Sequence, residues 1–245
     1  MKAKATKISA LLLTALMVLF AFAGCSSTTQ PPSDSLEKKT IDTFIVGTTM
    51  KIESISRETY NYNVLTGTLT HMALVRQDEN GELKPFMAES FSTEDSVTWD
   101  FKLRQGLTWH DGEKVTSDDI KFTLEKEKFA LKEIKVIDDL NFQLVCEKAN
   151  SRLPIDLVTM RIIPEHIFKD VEDIAAFTED AAAIGCGPYV FERFDSSAGV
   201  LEFQAYEDYV DGRPNIDKII VKLFANADTM YMALKKGEID MVYFY

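Results

Sequence analysis

Between residues 97 and 103, apolar Val97, Trp99, Phe101 and Leu103 alternate with Thr98, Asp100 and Lys102. That is the period-two pattern of a strand with one buried face. Gln105-Gly106 breaks the run, Leu107 and Trp109 resume it, and Asp111-Gly112 supplies a pair that tolerates a tight left-handed reversal. The period then changes. Thr116 or Ser117 is placed to cap a helix; with Thr116 as N-cap, Asp119 falls at the third helical position and can reach back to the cap amide, a capping box with Asp in place of Glu. Asp118 and Asp119 also suit the positive end of the helix dipole.

The same reading extends along the chain. Phe44-Ile45-Val46-Gly47 predicts the first strand of a core sheet. Residues 58–75 predict an amphipathic helix whose apolar stripe holds Tyr60, Val64, Leu65, Leu69, Met72 and Leu74, with Thr and Gly interruptions. Asn80-Gly81 predicts a hairpin turn. Strands are expected at 134–137 and 142–146 around Asp138-Asp139, then at 189–194, 200–205 and 218–224. Asn226 or Asp228 caps a last helix with Met230, Ala233 and Leu234 on one face, closed by Lys235, Lys236 and Gly237.

Composition narrows the classes. With 46% apolar residues in 245, the chain can build a substantial core. Lys2, Lys4 and Lys7 precede an apolar run over residues 8–23, broken by Ser9 and Thr14, which reads as a secretion signal over residues 1–24. Residues 25–40, with paired prolines and no apolar periodicity, read as a flexible tether. The net charge of −12 becomes more negative once the lysine-bearing signal is removed, which argues against nucleic acid as a partner. There is no G-x-x-x-x-G-K-[ST], G-x-S-x-G, H-E-x-x-H or C-x-x-C, and His71, His110 and His166 are scattered. No catalytic residue, metal site or cofactor is therefore assigned. Cys146 and Cys186 sit on or beside different predicted strands; export permits a disulfide, and the alternative reading, two free buried thiols, is preferred.

Several runs carry a resemblance. GLTWHDGEKVTSDDIKFTL (residues 106–124) strongly resembles the signature of extracytoplasmic solute-binding proteins of ABC importers, family 5, which binds peptides and nickel. Pro85 to Ser90 resembles the family's P-x-L-A-E-S segment, Pro164-Glu165-His166 its Pro-Lys-His helix start, and residues 206–214 its N-P-x-Y-W-x-G-K-P loop. Gly185-Cys186-Gly187-Pro188-Tyr189 resembles its G-T-G-P-Y, with Cys186 replacing threonine. Phe22-Ala23-Gly24-Cys25 resembles a lipobox, which implies a diacylglycerol on Cys25. The usual Leu-Asp-Pro after the first strand is replaced by residues 51–56, KIESIS, and the short 126–132 loop lacks the insertion of nickel-binding relatives.

The resemblance implies an α/β fold of the periplasmic-binding-protein-like type II, with the first lobe present and the second lobe absent from these residues. Residues 41–63 and 184–245 are expected to form the core lobe, and 64–183 an inserted α+β subdomain carrying Trp99 and Trp109. Thr48, Thr49, Met50, Gly185, Cys186, Gly187 and Tyr189 are the implied ligand-binding residues. The implied role is a monomeric, lipid-anchored, non-enzymatic receptor on the outer face of the bacterial cytoplasmic membrane. It would pass a peptide or similar small polar solute to membrane permease subunits. Alternatives are a nickel chelate as ligand, or an incomplete surface lipoprotein without transport function.

Overall fold

A computed structural model describes residues 40–244; the secretion signal, Cys25 and residues 26–39 of the expected tether lie outside the described residues. From β1 (Ile41–Thr48) the chain passes through helix α1 (Tyr60–Thr70), the short strands β2 (Val75–Gln77) and β3 (Leu83–Pro85), and strands β4 (Ala88–Ser92) and β5 (Thr98–Leu103). Helix α2 (Ser117–Lys126), strands β6 (Glu133–Val136) and β7 (Asn141–Val145), and single-turn helices α3 (Leu153–Asp156) and α4 (Glu165–Phe168) follow. The chain then runs through β8 (Tyr189–Asp195), β9 (Val200–Ala205), β10 (Ile216–Leu223), α5 (Ala227–Lys236) and β11 (Met241–Tyr243).

These strands make two larger sheets and one hairpin. The first sheet is mixed, in the order β11-β1-β10-β9-β8, with β1 parallel to both β10 and β11. The second is antiparallel, β4-β5-β7-β6. On β5 the alternation expected from the sequence is realised: Trp99, Phe101 and Leu103 are buried, and Phe101 stacks on Phe142 with ring centroids 5.3 Å apart. Each buried side chain of this size contributes roughly 1.5–3 kcal/mol. Asn80-Gly81 turns the β2–β3 hairpin, with Gly81 at φ 78°.

Local capping follows the chemistry of the residues. The Thr116 amide donates to Asp119 Oδ2 at 2.8 Å, closing the capping box of α2. Asp119 does more than cap. Its Oδ1 accepts from the Glu165 amide at 2.9 Å, which fixes the start of α4 against the start of α2. Asn226 caps α5, accepting from the Thr229 amide at 2.9 Å, and Gly237 ends it at φ 72°.

The expected helix over 58–75 is shorter and turned differently. It stops at Thr70, and its buried face carries Tyr62, Thr66, Gly67 and Thr70 rather than the large aliphatic stripe; Tyr60 is exposed. Residues 71–75 leave the helix because their backbone is claimed from outside it. Ile162 N–H donates to Met72 O, Met87 N–H to Ala73 O, and Phe86 and Ala88 N–H to Leu74 O. With Thr and Gly weakening helix propensity, those tertiary bonds decide the segment. Met72 and Leu74 are fully buried all the same.

Candidate functional site

The carboxyl end of β1 is a topological switch point. β1 feeds α1 and the long excursion through the second sheet, while β10 crosses by α5 to β11 on the other side of β1. In open α/β sheets such a point leaves a crevice beyond the carboxyl ends of the strands, where ligands bind. Thr48 is fully buried there: its carbonyl accepts from Phe224 N–H at 2.8 Å and its hydroxyl from Met50 N–H at 3.1 Å. Thr49 is exposed and Met50 half-buried. The loop beyond is pinned by Asn61 Nδ2 donating to Lys51 O at 2.6 Å, by a Ser54–Thr59 hydroxyl pair at 2.8 Å, and by Ser56 Oγ donating to Ile174 O at 2.8 Å.

The other implied site residues lie elsewhere. Tyr189 pairs with Ala205 on β9, and Gln204 pairs in turn with Lys218, which faces Thr43 of β1. Tyr189 thus enters the sheet near the amino end of β1. At about 3.3 Å rise per residue, that is on the order of 20 Å along the strands from Thr48, and three strands across. The seven residues form two separate places, because β8 runs parallel to β1 and starts at the far end. Tyr189 is 6% exposed in the core with Leu201, Phe203 and Ile219. Cys186 is buried in the other core beside Met72, and burial pushes its thiol up to about 12. It forms no disulfide with Cys146; both are free.

Gly185 and Gly187 serve the fold directly. A Cβ on Gly185 would lie 1.8 Å from Thr70 O, and one on Gly187 2.5 Å from Leu69 O; the loop presses against the last turn of α1, and Gly187 N–H donates to Thr70 O at 2.9 Å. The turn at 109–112 locks onto the same loop. His110 N–H donates to Gly185 O at 2.8 Å, Gly185 N–H donates to His110 Nδ1 at 3.3 Å, and His110 Nε2 lies 3.0 Å from Gly187 O. These partners assign the proton to Nε2. Burial drives the His110 pKa down to about 4, against the smaller upward pulls of Gly187 O and Asp111, so the ring is neutral at pH 7. Tyr206 completes the junction: its hydroxyl donates to Trp109 O at 2.9 Å and lies 2.7 Å from Thr108 Oγ1, while its ring meets His110 edge-on.

His166 bonds Asp111 at 2.7 Å, and His71 bonds Thr70 Oγ1 at 2.9 Å with its pKa held well below the usual value, first by burial. Among the described residues no cluster of three or more His, Cys, Asp or Glu could hold a metal. Sequence reasoning missed Asp119 as a bridge between two helices, and it missed Tyr206 as the partner of the 108–110 turn. Asp119 was visible only as a cap; the second partner of each is supplied by chain about 50 to 100 residues away.

Comparison with known proteins places this geometry. Oligopeptide-binding protein AppA of Bacillus subtilis is 28% identical over 265 residues, covering 97% of this chain and 48% of AppA. The structure of AppA in complex with a nonapeptide has the same fold, with a TM-score of 0.73 over 82% of this chain and 44% of that one, at 23% identity. CtaP of Listeria monocytogenes, an ABC transporter substrate-binding protein, gives 0.71 at 28% identity, covering 82% and 44%. NikZ of Campylobacter jejuni, in complex with Ni(L-His), gives 0.69 at 25%, covering 81% and 42%. The chain spans about a third to a half of the length of the curated relatives it matches. Residues 82–245 match the family described as bacterial extracellular solute-binding proteins, family 5 Middle, and the chain belongs to that family.

Proposed function

We propose that this chain supplies the first lobe of a solute-binding lipoprotein of an ABC importer. It captures a peptide or similar small polar solute outside the membrane and delivers it to permease subunits. The observation that carries the reading is the open carboxyl end of β1, with Thr49 and Met50 accessible beside a buried Thr48, on a fold shared with peptide-bound AppA. Thr49 and Met50 are the contacts we assign to solute first. Residues 185–189 would act through the fold that they close. Core-lobe residues 41–63 and 184–245 and an insertion at 64–183 are supported by strand pairing: the two sheets draw their strands from those two sets. Solute closure between two lobes, by hinge motion, would exclude water from the crevice.

Attachment through a lipid on Cys25 belongs to the same reading, supported by the Phe22-Ala23-Gly24-Cys25 run. Radiolabelled palmitate should enter the wild type and not Cys25→Ala. A nickel chelate is the second ligand reading, favoured by the likeness to NikZ; the short connection from Lys126 to Glu133 favours peptide. Mass spectrometry of compounds that co-purify with the whole gene product decides between them. Peptides would support the first reading, and a metal chelate would replace it. A product that retains no solute would favour a surface lipoprotein without transport function.

A further inference from the structure

Three turns of this chain place an aspartate or asparagine before a glycine in the left-handed region: Asn80-Gly81, Asp111-Gly112 and Asp211-Gly212, with glycine φ of 78°, 92° and 86°. In each, the glycine N–H donates to the carbonyl three residues back, to Asp78 O at 2.9 Å, Trp109 O at 2.9 Å and Tyr209 O at 2.7 Å. An added Cβ on any of the three glycines would meet nothing within 4 Å. The side chains that precede them differ. Asp111 is held by both oxygens: Oδ1 accepts from the Glu113 amide at 3.2 Å, and Oδ2 lies 2.7 Å from His166 Nε2. Asp211 Oδ1 accepts from Arg104 Nη2 at 2.6 Å. The Asn80 side chain is exposed and bonds nothing among the described residues.

A carboxamide followed by a glycine amide sets an electrophile beside a nucleophile. Joining them closes a five-membered ring, and glycine has no Cβ to obstruct the closure. An ionised carboxylate is a far poorer electrophile than an amide, so Asp111 and Asp211 are disfavoured by charge as well as by their bonds. Asn80 also sits where opening costs little. Strands β2 and β3 have three residues each, and the turn between them is held by Asp78 Oδ1, which accepts from the Asn80 and Glu82 amides at 2.9 Å. Of the chain's asparagines, Asn80 alone precedes a glycine. Asn150, which precedes Ser151, has its Oδ1 tied to the Arg152 amide at 3.0 Å.

We propose that Asn80 is a site of spontaneous deamidation. The Gly81 amide nitrogen gives up its proton and adds to Asn80 Cγ; the Cγ–Nδ2 bond breaks, and the amide leaves as ammonia, carrying that proton. Water then opens the cyclic imide at either carbonyl and leaves aspartate or isoaspartate at position 80. Isoaspartate lengthens the main chain by one methylene inside the turn. Either product adds a negative charge beside Glu79, Asp78 and Glu82, of which the last two already share Lys84. The β2–β3 hairpin loosens while the rest of the fold stays, because the Phe86 and Ala88 amides hold Leu74 O outside the hairpin. The modification is independent of what the crevice at β1 binds.

The test ages the purified protein in warm, mildly alkaline buffer, both native and in urea. Each asparagine is followed by peptide mass spectrometry and by isoaspartyl methyltransferase labelling. The native protein should convert at Asn80 several-fold faster than at Asn150, with isoaspartate as the larger product. Asn80→Gln, whose ring would be one atom larger, should lose the labelling, with unchanged near-UV circular dichroism reporting an intact fold. Asp78→Ala, which frees the turn, should convert several-fold faster than wild type. Conversion in urea but not in the native protein overturns the proposal, since the folded turn would then protect the site. A different asparagine, or Asp111 or Asp211, that converts first overturns it too.

Discussion

The junction of the 109–112 turn with the 185–187 loop and the carboxyl end of β1 are built on different terms. At the junction, backbone meets backbone: two glycines lie against the carbonyls of residues 69 and 70, and His110 and Tyr206 fill the remaining bonds. At the end of β1, a partly exposed loop is held by side-chain hydrogen bonds from Asn61, Ser54 and Ser56. The first arrangement tolerates few residue types, because a Cβ or a missing ring nitrogen has nowhere to go. The second tolerates many. A family is therefore recognisable at the place that holds the fold; under the proposed function, what it binds is set at the other.

The sharpest way to break this contrast is to add a methyl group at the junction. Gly185→Ala should cost more than about 3 kcal/mol or prevent folding, since the new Cβ would sit 1.8 Å from Thr70 O; urea unfolding measures it. A variant as stable as wild type would show that the loop yields. Gly187→Ala should follow closely, at 2.5 Å from Leu69 O.

Acid should act on the junction next. The unfolded His110 ring protonates near pH 6.5, whereas the native ring stays neutral to about 4. The unfolded state therefore binds more protons between those values, and stability falls as pH drops through that window, by roughly 3 kcal/mol at most for this group. His71 is shifted in the same direction, so His110→Gln should flatten part of the slope of unfolding midpoint against pH and leave the rest. An unchanged slope would remove His110 from the account.

Tyr206→Phe is a smaller perturbation. It leaves Thr108 Oγ1 without this partner and takes one donor from Trp109 O, which should cost about 1–2 kcal/mol. Smallest in stability is the other region. Thr49→Ala should stay within about 0.5 kcal/mol of wild type, while changing affinity for whatever solute co-purifies. A large loss of stability there, or none of affinity, would erase the difference between the two regions.

Much of the fold was readable along the chain because its causes are local. The alternation of Trp99, Phe101 and Leu103, the Asn80-Gly81 turn, the Thr116–Asp119 box and the Asn226 and Gly237 caps each depend on neighbours within a few residues, and each forms. The candidate site was less legible. Seven residues drawn from two motifs separate to opposite ends of one sheet, since strand direction is a property of the whole sheet and not of either motif. Likewise Met72 and Leu74 carried a helical pattern, yet carbonyls 72–74 accept from residues 86–88 and 162. A stripe of apolar residues says that a segment will be buried; it does not say by which backbone bonds.

Most of the strands, turns and caps, and through the 106–124 and 185–189 runs the family, were readable along the chain, because these need particular residue types at fixed spacing. That Gly185 and Gly187 close against α1, while Thr49 is exposed and Met50 half-buried at the far end of the sheet, came from long-range packing alone. The physical reason is the range of the forces involved. Backbone geometry and capping act within a turn, whereas burial, counter-charge and the order of strands depend on which distant segments come to rest together.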